Sequence, residues 1–199
     1  MKQRDKIIKL IKNAGILRYR DIIAHHINPV TLNRLVNSGE MIRISRGLYT
    51  LPDLEIQSGY HTFAEISKKV PRGVICLLSA LAYHELTTQL PHQVWMAIHE
   101  KAWTPKIEHI QIRFVRFSEN LLKEGVNTVE IQNIPVKMTN PARTVADCFK
   151  YRNKIGLDVA VEALREGLKG RYFTVDELWR YAELCRVANV MRPYIEAVV

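Results

Sequence analysis

The 199-residue chain carries 29 Lys and Arg against 20 Asp and Glu, a formal net charge of +9, and 47% of its residues are apolar. That length and apolar content suffice for one or two buried cores. The charge is uneven, since residues 1–52 carry a net +7 and residues 53–199 a net +2. A local excess of positive charge is typical of a segment that meets an anionic partner, such as nucleic acid or a membrane surface.

The cysteines, Cys76, Cys148 and Cys185, are odd in number and far apart in the sequence. This spacing argues against a disulfide framework and is typical of a reduced, cytoplasmic protein. The N-terminus lacks the continuous apolar segment of a signal peptide. The apolar run from Val74 to Ala82 is too short to span a bilayer. We therefore expect a cytoplasmic protein that does not enter a membrane.

Three short helices are predicted in the first 53 residues. The first runs from Lys2 to Asn13, where isoleucines recur on one face among basic side chains. The second covers Tyr19 to His26. Asn28-Pro29 starts the third, because Asn accepts hydrogen bonds from the free N–H groups of a helix start and Pro fits the first helical position. Ser38-Gly39 ends it.

Two short strands are predicted after the third helix. Met41 to Ile44 alternates in polarity, with Ile42 and Ile44 expected to face inward. Ser45-Arg46-Gly47 makes the turn, and Leu48 to Leu51 returns as the second strand. Three helices followed by a two-stranded hairpin predict a winged helix-turn-helix in residues 1–53.

The third helix of a winged helix-turn-helix enters the major groove of DNA and reads base edges. Leu32 and Leu35 are predicted to face the core. On the opposite side Arg34 can donate two hydrogen bonds to guanine, and Asn33 or Asn37 can pair with adenine. The residues of the helices and the wing that we expect to contact DNA are Arg18, Arg20, Val30, Thr31, Asn33, Arg34, Asn37, Arg43, Ser45 and Arg46.

Side chains around that helix are expected to add affinity. Thr31 offers a methyl group to thymine and a hydroxyl group to phosphate. Arg43 and Arg46 project from the wing, where they can track phosphates or probe the minor groove. The lysines of the first helix, with Arg18 and Arg20, can neutralise flanking phosphates, a contribution that falls as salt rises.

Two other interpretations of this segment stay open. Its polar face could be the solvated surface of a small helical domain, and a winged helix can also bind protein. DNA binding is favoured because the helix, the wing and the charge excess coincide within one unit.

The remainder of the chain predicts a larger mixed domain. Residues 54–60 are expected to form a linker and residues 61–199 a C-terminal α/β domain, so the predicted fold class is α+β. Thr62 to Glu65 has the pattern of a capping box, and Val74 to Leu86 that of a buried helix. The predicted strands span 95–99, 107–117, 126–131 and 134–138. Helices begin at Asn140-Pro141 and continue to the C-terminus, with a second capping box at Thr174 to Glu177.

The run AGILRYRDIIAHHINPVTLNRLVNSGEMIRISRGLYTL resembles the N-terminal winged helix of AbiEi-type antitoxins of type IV toxin–antitoxin (abortive infection) systems. Its ending RISRGLYTL is the most characteristic part. GVICLLSALAYHELT resembles the Ser-Ala-Leu helix of that family, and IPVKMTNPARTVADCF its Thr-x-Pro-Ala-Arg-Thr-x-x-Asp segment. The resemblance spans about residues 5 to 170, in order. The family motif falls on Thr139, Pro141, Arg143, Thr144 and Asp147.

The resemblance implies a repressor that binds inverted repeats at its own promoter. We expect the chain to have no cofactor, no metal ion and no catalytic residues. The resemblance also implies a C-terminal domain that counters a nucleotidyltransferase-like toxin without a tight complex. Two copies on an inverted repeat would suit half-sites one helical turn apart, although the sequence shows no obvious dimerisation seam.

Two rival functions come from other classes. A nucleic-acid-processing enzyme would need clustered carboxylates for a metal ion, and no such pair stands on a predicted strand. The seven histidines show no metal-ligand spacing. A stand-alone regulator with a ligand- or partner-sensing C-terminal domain stays open. Arg143 and Asp147, one helical turn apart, predict an ion pair or a backbone anchor rather than an active patch.

Overall fold

The computed structural model describes residues 3–45, 47–55 and 60–198, without the side chains of residues 45, 54 and 55. It confirms the predicted α+β fold with an N-terminal winged helix-turn-helix. The chain forms two compact units. The first unit comprises residues 1–71 and 129–136, and the second unit comprises residues 72–128 and 137–199.

The N-terminal part combines short helices with short strands. In chain order they are α1 (Gln3–Ala14), β1 (Leu17–Arg18), α2 (Tyr19–Ala24), α3 (Pro29–Asn37), β2 (Ile42–Ser45), β3 (Leu48–Thr50), α4 (Pro52–Glu55) and α5 (His61–Lys69). The strands form an antiparallel sheet in the order β1-β3-β2. Strand β1 is not predicted from the sequence, because two residues are too few to show a period of two.

The core of the first unit comes from the apolar faces of its helices. Ile7 and Ile11 of α1 are fully buried, as are Leu32 and Leu35 of α3. Asn28 caps α3 as predicted, its side chain accepting a hydrogen bond from the Val30 amide at 2.9 Å. The boundaries of α1 and α3 thus confirm the sequence prediction to within one residue.

The hairpin of the wing also forms where predicted. Strand β2 pairs with β3 from Ile42 opposite Thr50, and the register shifts between Arg43 and Ser45. Ile42 and Ile44 are half-buried. Three predicted features lie outside the described residues: Lys2, the wing residue Arg46 and residues 56–59 of the linker. The Ser45 side chain lies outside them as well.

A second sheet follows, with one helix between its first two strands and further helices after its last strand. These elements are β4 (Val74–Ile75), α6 (Leu77–Tyr83), β5 (Val94–His99), β6 (Ile112–Phe117), β7 (Val126–Ile131), β8 (Ile134–Thr139), α7 (Pro141–Lys150), α8 (Arg152–Ile155), α9 (Leu157–Lys169), α10 (Val175–Leu184) and α11 (Ala188–Glu196). The strand order is β6-β5-β4-β8-β7. Strand β4 runs antiparallel to β5 and parallel to β8, and β5 runs parallel to β6.

Helix α7 is the centre of the second unit. Residues 142–149 are all buried, and α7 packs against α6, α9 and α10. Such complete burial requires cover on every side, which the surrounding helices and the sheet provide. The Asn140-Pro141 helix start and the Thr174–Glu177 capping box are both confirmed.

Two local predictions in this part of the chain are wrong. The segment Val74 to Leu86 is not one helix: it begins as strand β4 and becomes helical at Leu77. A buried strand and a buried helix share the same apolar composition, so periodicity cannot separate them. The Thr62–Glu65 capping box is absent, since α5 begins at His61 without a side-chain cap. Glu65 is instead buried and pairs with Lys69 at 3.0 Å.

Strand β6 and the domain boundaries also differ from expectation. The predicted strand 107–117 begins only at Ile112. Its alternation predicts Ile112 and Phe114 inward, whereas Val115 and Phe117 are the buried residues. The predicted boundary after residue 53 does not coincide with the compact units, because α5 and residues 129–136 group with the first unit.

Candidate nucleic-acid interface

Helix α3 presents an exposed polar stripe. Asn33, Arg34 and Asn37 are exposed, and Val30 at the start of the helix is 72% exposed. These positions are three, four and seven residues apart, so they share one face, opposite the buried leucines. Four of the residues predicted to contact DNA therefore lie together on an exposed helix face.

Helix α1 holds both ends of α3. The Gln3 side-chain oxygen accepts hydrogen bonds from the Asn28 amide at 3.1 Å and from the Thr31 hydroxyl at 3.0 Å. Beyond the other end of α3, Glu40 pairs with Arg4 at 2.6 Å. The Thr31 hydroxyl is thus used within the protein, and only its methyl group remains for the predicted DNA contact.

The wing is tied to the start of α2. The Tyr19 amide donates to the Gly47 carbonyl at 2.8 Å, next to the pairing of β1 with β3. Arg43, on the outer strand β2, is exposed. The two predicted phosphate contacts Arg18 and Arg20 lie in β1 and α2, on the chain segment that this hydrogen bond joins to the wing.

Most of the basic side chains near α3 and the wing are free to bind an anion. Within the part of the chain that the structure describes, Lys9, Arg18, Arg34 and Arg43 have no carboxylate within ion-pair distance. Arg20 contacts Asp21 at 3.5 Å, and since the Arg20 side chain is 74% exposed and that of Asp21 40% exposed, this pair is weak. Unpaired surface cations are free to release counterions from a DNA backbone.

Lys68 is a basic residue that the sequence interpretation missed. Burial lowers the pKa of Lys68, Asp21 opposes that effect and Arg18 adds to it. Burial also lowers the pKa of Arg18, with the neighbouring Arg20 acting in the same direction. Arg18 thus acts on Lys68 as a like charge, although Lys68 lies on α5, beyond the predicted end of the DNA-binding domain. No sequence pattern indicates Lys68 as part of the interface, because it lies beyond that predicted boundary.

The segment of the second half that resembles the family motif is largely buried. Thr139, Arg143, Thr144 and Asp147 are all fully buried, and Pro141 occupies the first position of α7. The Thr139 and Thr144 hydroxyls lie 2.7 Å apart, and the Thr144 hydroxyl also contacts the Asn140 carbonyl at 2.8 Å. These side chains fix the junction between β8 and α7 and leave no exposed patch for a partner.

Arg143 connects α7 with the segment 121–124 and with strand β6. Its guanidinium donates to Asp147 at 3.1 Å, to the Glu124 carbonyl at 2.6 Å and to the Leu121 carbonyl at 3.4 Å. It lies 5.4 Å from the centre of the Phe117 ring. This arrangement favours the interpretation of Arg143 and Asp147 as an ion pair and backbone anchor. Their spacing in the sequence does not indicate that both side chains are buried.

Asp147 is a buried carboxylate with incomplete hydrogen bonding. Its Oδ1 accepts from Arg143 and from the Cys185 thiol at 3.3 Å, while Oδ2 has no partner among the described residues. Burial raises the pKa of Asp147 above its ordinary value of 3.8, and Arg143 opposes this shift. Burial also raises the pKa of Cys185, to about 12, so this thiol stays protonated.

His84 offers a test of stability against pH. Its Nε2 donates to the Thr139 carbonyl at 2.8 Å, and burial lowers its pKa below 6.5, with that hydrogen bond opposing the shift. A depressed folded-state pKa means that stability is present above pH 6.5 and is lost as pH falls towards the folded value. One proton contributes at most about 1.4 kcal/mol per pH unit. We expect His84→Gln to reduce the slope of unfolding free energy against pH below 6.5.

The matched control for this prediction is His92→Gln, since His92 is exposed. Urea unfolding at a series of pH values measures both variants. Equal slopes for the two variants would mean that His84 does not contribute to the acid sensitivity.

The described residues contain no group of three or more His, Cys, Asp or Glu side chains placed to hold a metal ion. Within the same ranges, no helix combines the length and apolar character needed to cross a bilayer.

Comparison with known proteins supports the resemblance in the first unit. Residues 5–52 match the family model described as "Transcriptional regulator, AbiEi antitoxin". No curated protein matches the chain. Among solved structures, the RV2827C protein from Mycobacterium tuberculosis is similar, with a TM-score of 0.54 and 12% identity over 92% of this chain and 75% of that one. At this identity the likeness concerns the fold alone, and it extends over nearly the whole chain.

Proposed function

We propose that this chain, whose first unit carries the winged helix of the AbiEi antitoxin transcriptional regulators, represses its own operon and serves as its antitoxin. The first unit binds inverted repeats in the operon's promoter. The second half counters a nucleotidyltransferase-like toxin from the neighbouring gene, without a tight complex. Both activities take place in the cytoplasm, where promoter DNA is accessible.

The observation that carries the DNA-binding part is the exposed stripe of α3. Arg34 and the two asparagines beside it supply the donor and acceptor groups that distinguish base pairs in the major groove. The buried leucines on the other side fix the orientation of the helix. The net charge of +7 in residues 1–52 adds sequence-independent attraction to the phosphates.

The test compares two duplexes in a mobility-shift titration with the full chain. One carries the promoter of the chain's own operon, and the other carries the same bases in shuffled order. We expect tighter binding to the promoter by about a thousandfold or more, the range typical of specific regulators. Equal affinity for the two duplexes would refute the proposed operator recognition.

The wing gives a prediction about salt. Arg43 is exposed on β2 without a carboxylate partner among the described residues. We expect Arg43→Ala to weaken binding to both duplexes alike and to lower the slope of log affinity against log salt by about 1, as loss of one phosphate contact does. Titrations at several salt concentrations measure that slope. An unchanged slope would remove Arg43 from the interface.

The antitoxin part rests on the match of residues 5–52 to the AbiEi family model and on the resemblance of residues 73–87 and 134–149 to segments of that family. Coexpression with the product of the neighbouring reading frame tests it directly. If the full chain restores growth and forms no stable complex with the toxin on gel filtration, the result supports the type IV arrangement. Rescue that depends on a tight complex would indicate a different class of antitoxin.

A further inference from the structure

The tip of the β7–β8 hairpin belongs to the first unit, although it is far from the rest of that unit in sequence. Its turn residues Gln132 and Asn133 both have positive φ, 51° and 59°. Ile131 and Ile134 on either side are buried, with 6% and 1% exposure. Burial of both flanks shows that the tip is packed in place and is not a free loop.

The tip contacts the end of α1. The Asn133 side-chain amide donates to the Lys12 carbonyl at 3.0 Å. Lys12 is in the last turn of α1, where carbonyl groups lack partners within the helix, so this hydrogen bond caps the helix. The Gln132 side-chain oxygen lies 2.8 Å from Nδ1 of His61 on α5. The tip thereby connects α1 with a helix outside the winged helix-turn-helix.

Gly15 is the point where three elements meet. Its amide donates to the Ile11 carbonyl of α1 at 2.7 Å, and its carbonyl accepts from the Thr50 hydroxyl of β3 at 2.8 Å. A methyl group added at Gly15 would overlap the Gln132 carbonyl oxygen. The hairpin tip therefore packs directly on the residue that joins α1 to the wing.

The N-terminal end of α1 contacts α3 and the residues that flank it. There Gln3 binds the start of α3 through Asn28 and Thr31, and Arg4 binds Glu40 beyond its end. A displacement of the C-terminal end of α1 would thus reach α3 through groups already in contact. A continuous set of packed and hydrogen-bonded groups can transmit such a change.

We propose that the hairpin tip positions α3 for DNA through α1, with Gly15 and Asn133 as positioning residues. The inference rests on the proposed DNA binding for its functional consequence. It gives residues 129–136 a role in operator recognition, although they lie more than 70 positions beyond the winged helix in sequence.

The test compares Gly15→Ala with Gly39→Ala in the full chain. Both glycines follow a helix and have positive φ, 65° and 73°, so alanine strains the backbone equally. Gly15 meets the hairpin, whereas a methyl group at Gly39 would have no described atom within 4 Å apart from its neighbours in the chain. The paired variants thus separate loss of hairpin contact from backbone strain.

Hydrogen exchange without DNA is the first measurement. We expect Gly15→Ala to speed exchange of the Gln132 and Asn133 amides together with the Thr31 amide at the start of α3. Gly39→Ala should leave the hairpin amides as in the wild type. Equal exchange at all three amides in the two variants would overturn the inference, whatever the DNA result.

DNA affinity is the second measurement, with the promoter duplex as the probe. We expect Gly15→Ala to weaken binding by about tenfold more than Gly39→Ala, within the usual range of coupling between sites. By reciprocity, adding the duplex to the wild type should slow exchange at Asn133. Failure of the wild type to prefer the promoter duplex would refute the proposed function, while the exchange comparison would still decide whether the tip positions α3.

Asn133→Gly keeps the proposal testable if Gly15→Ala does not fold. Glycine accepts the positive φ of this position but cannot donate to Lys12. Faster exchange at the Gly15 amide and weaker promoter binding would support the positioning role, and wild-type values for both would contradict it.

Discussion

Replacing Arg143 by alanine is expected to destabilise the second unit by about 3–5 kcal/mol, the usual cost of leaving one partner of a buried ion pair unpaired. The substitution would leave Asp147 charged and fully buried, with the Cys185 thiol as its one remaining donor among the residues that the structure describes. The Leu121 and Glu124 carbonyls would lose their guanidinium donor as well. Urea unfolding followed by tryptophan fluorescence measures the loss.

The control removes both charges. In Arg143→Met combined with Asp147→Leu, no buried charge remains, so most of the lost stability should return, as it does for other buried pairs replaced by apolar residues. A double variant as unstable as Arg143→Ala would show that the carbonyl contacts of Arg143, and not the ion pair, dominate.

The same variant should respond to pH in a defined direction. Burial already raises the pKa of Asp147 above 3.8, and Arg143 opposes that shift. Without Arg143 the folded-state pKa should rise further. A raised folded-state pKa contributes stability below the unfolded value that is lost as pH rises through the folded value. The destabilisation by Arg143→Ala should therefore be smaller near pH 4 than at neutral pH, since proton uptake neutralises Asp147.

The winged helix could be predicted from sequence because its signals are local. Asn28-Pro29 starts α3 and Ser38-Gly39 ends it through short-range capping chemistry, and the structure confirms both. Strand β1 escaped prediction because it exists only through pairing with β3, which follows 30 residues later. A strand of two residues is too short to show the alternation of apolar and polar residues from which strands are predicted.

The role of the second-half motif and of the hairpin tip could not be predicted for a related reason. The spacing of Arg143 and Asp147 identifies a pair but not its burial, which depends on α6, α9 and α10 packing around α7. Likewise nothing in Gln132-Asn133 indicates a contact with Lys12, 121 positions earlier. Both features depend on tertiary packing, which local sequence patterns do not encode.

Substituting Arg34 and Asn37 together by alanine is expected to abolish operator recognition while leaving antitoxin activity intact. Arg34→Ala alone should cost about 1–3 kcal/mol, as loss of one bidentate base contact does. Asn37 lies one helical turn away on the same exposed stripe, so its loss should lower the preference for promoter over shuffled DNA still further. Neither side chain supports the core, so the unfolding free energy should stay near that of the wild type.

Two measurements on the full-length double variant test this separation: the titration with promoter and shuffled duplexes, and growth rescue during toxin expression from a heterologous promoter. Arg34→Ala with Asn37→Ala should lose promoter preference and keep rescue, whereas Arg143→Ala should reduce rescue through instability of the second unit.

The matched control is Lys169→Ala with Glu166→Ala, a pair of polar side chains on α9 of the second unit, which should change neither promoter binding nor stability appreciably. Loss of rescue in the Arg34–Asn37 variant at unchanged protein level would mean that DNA binding and toxin neutralisation share the α3 surface.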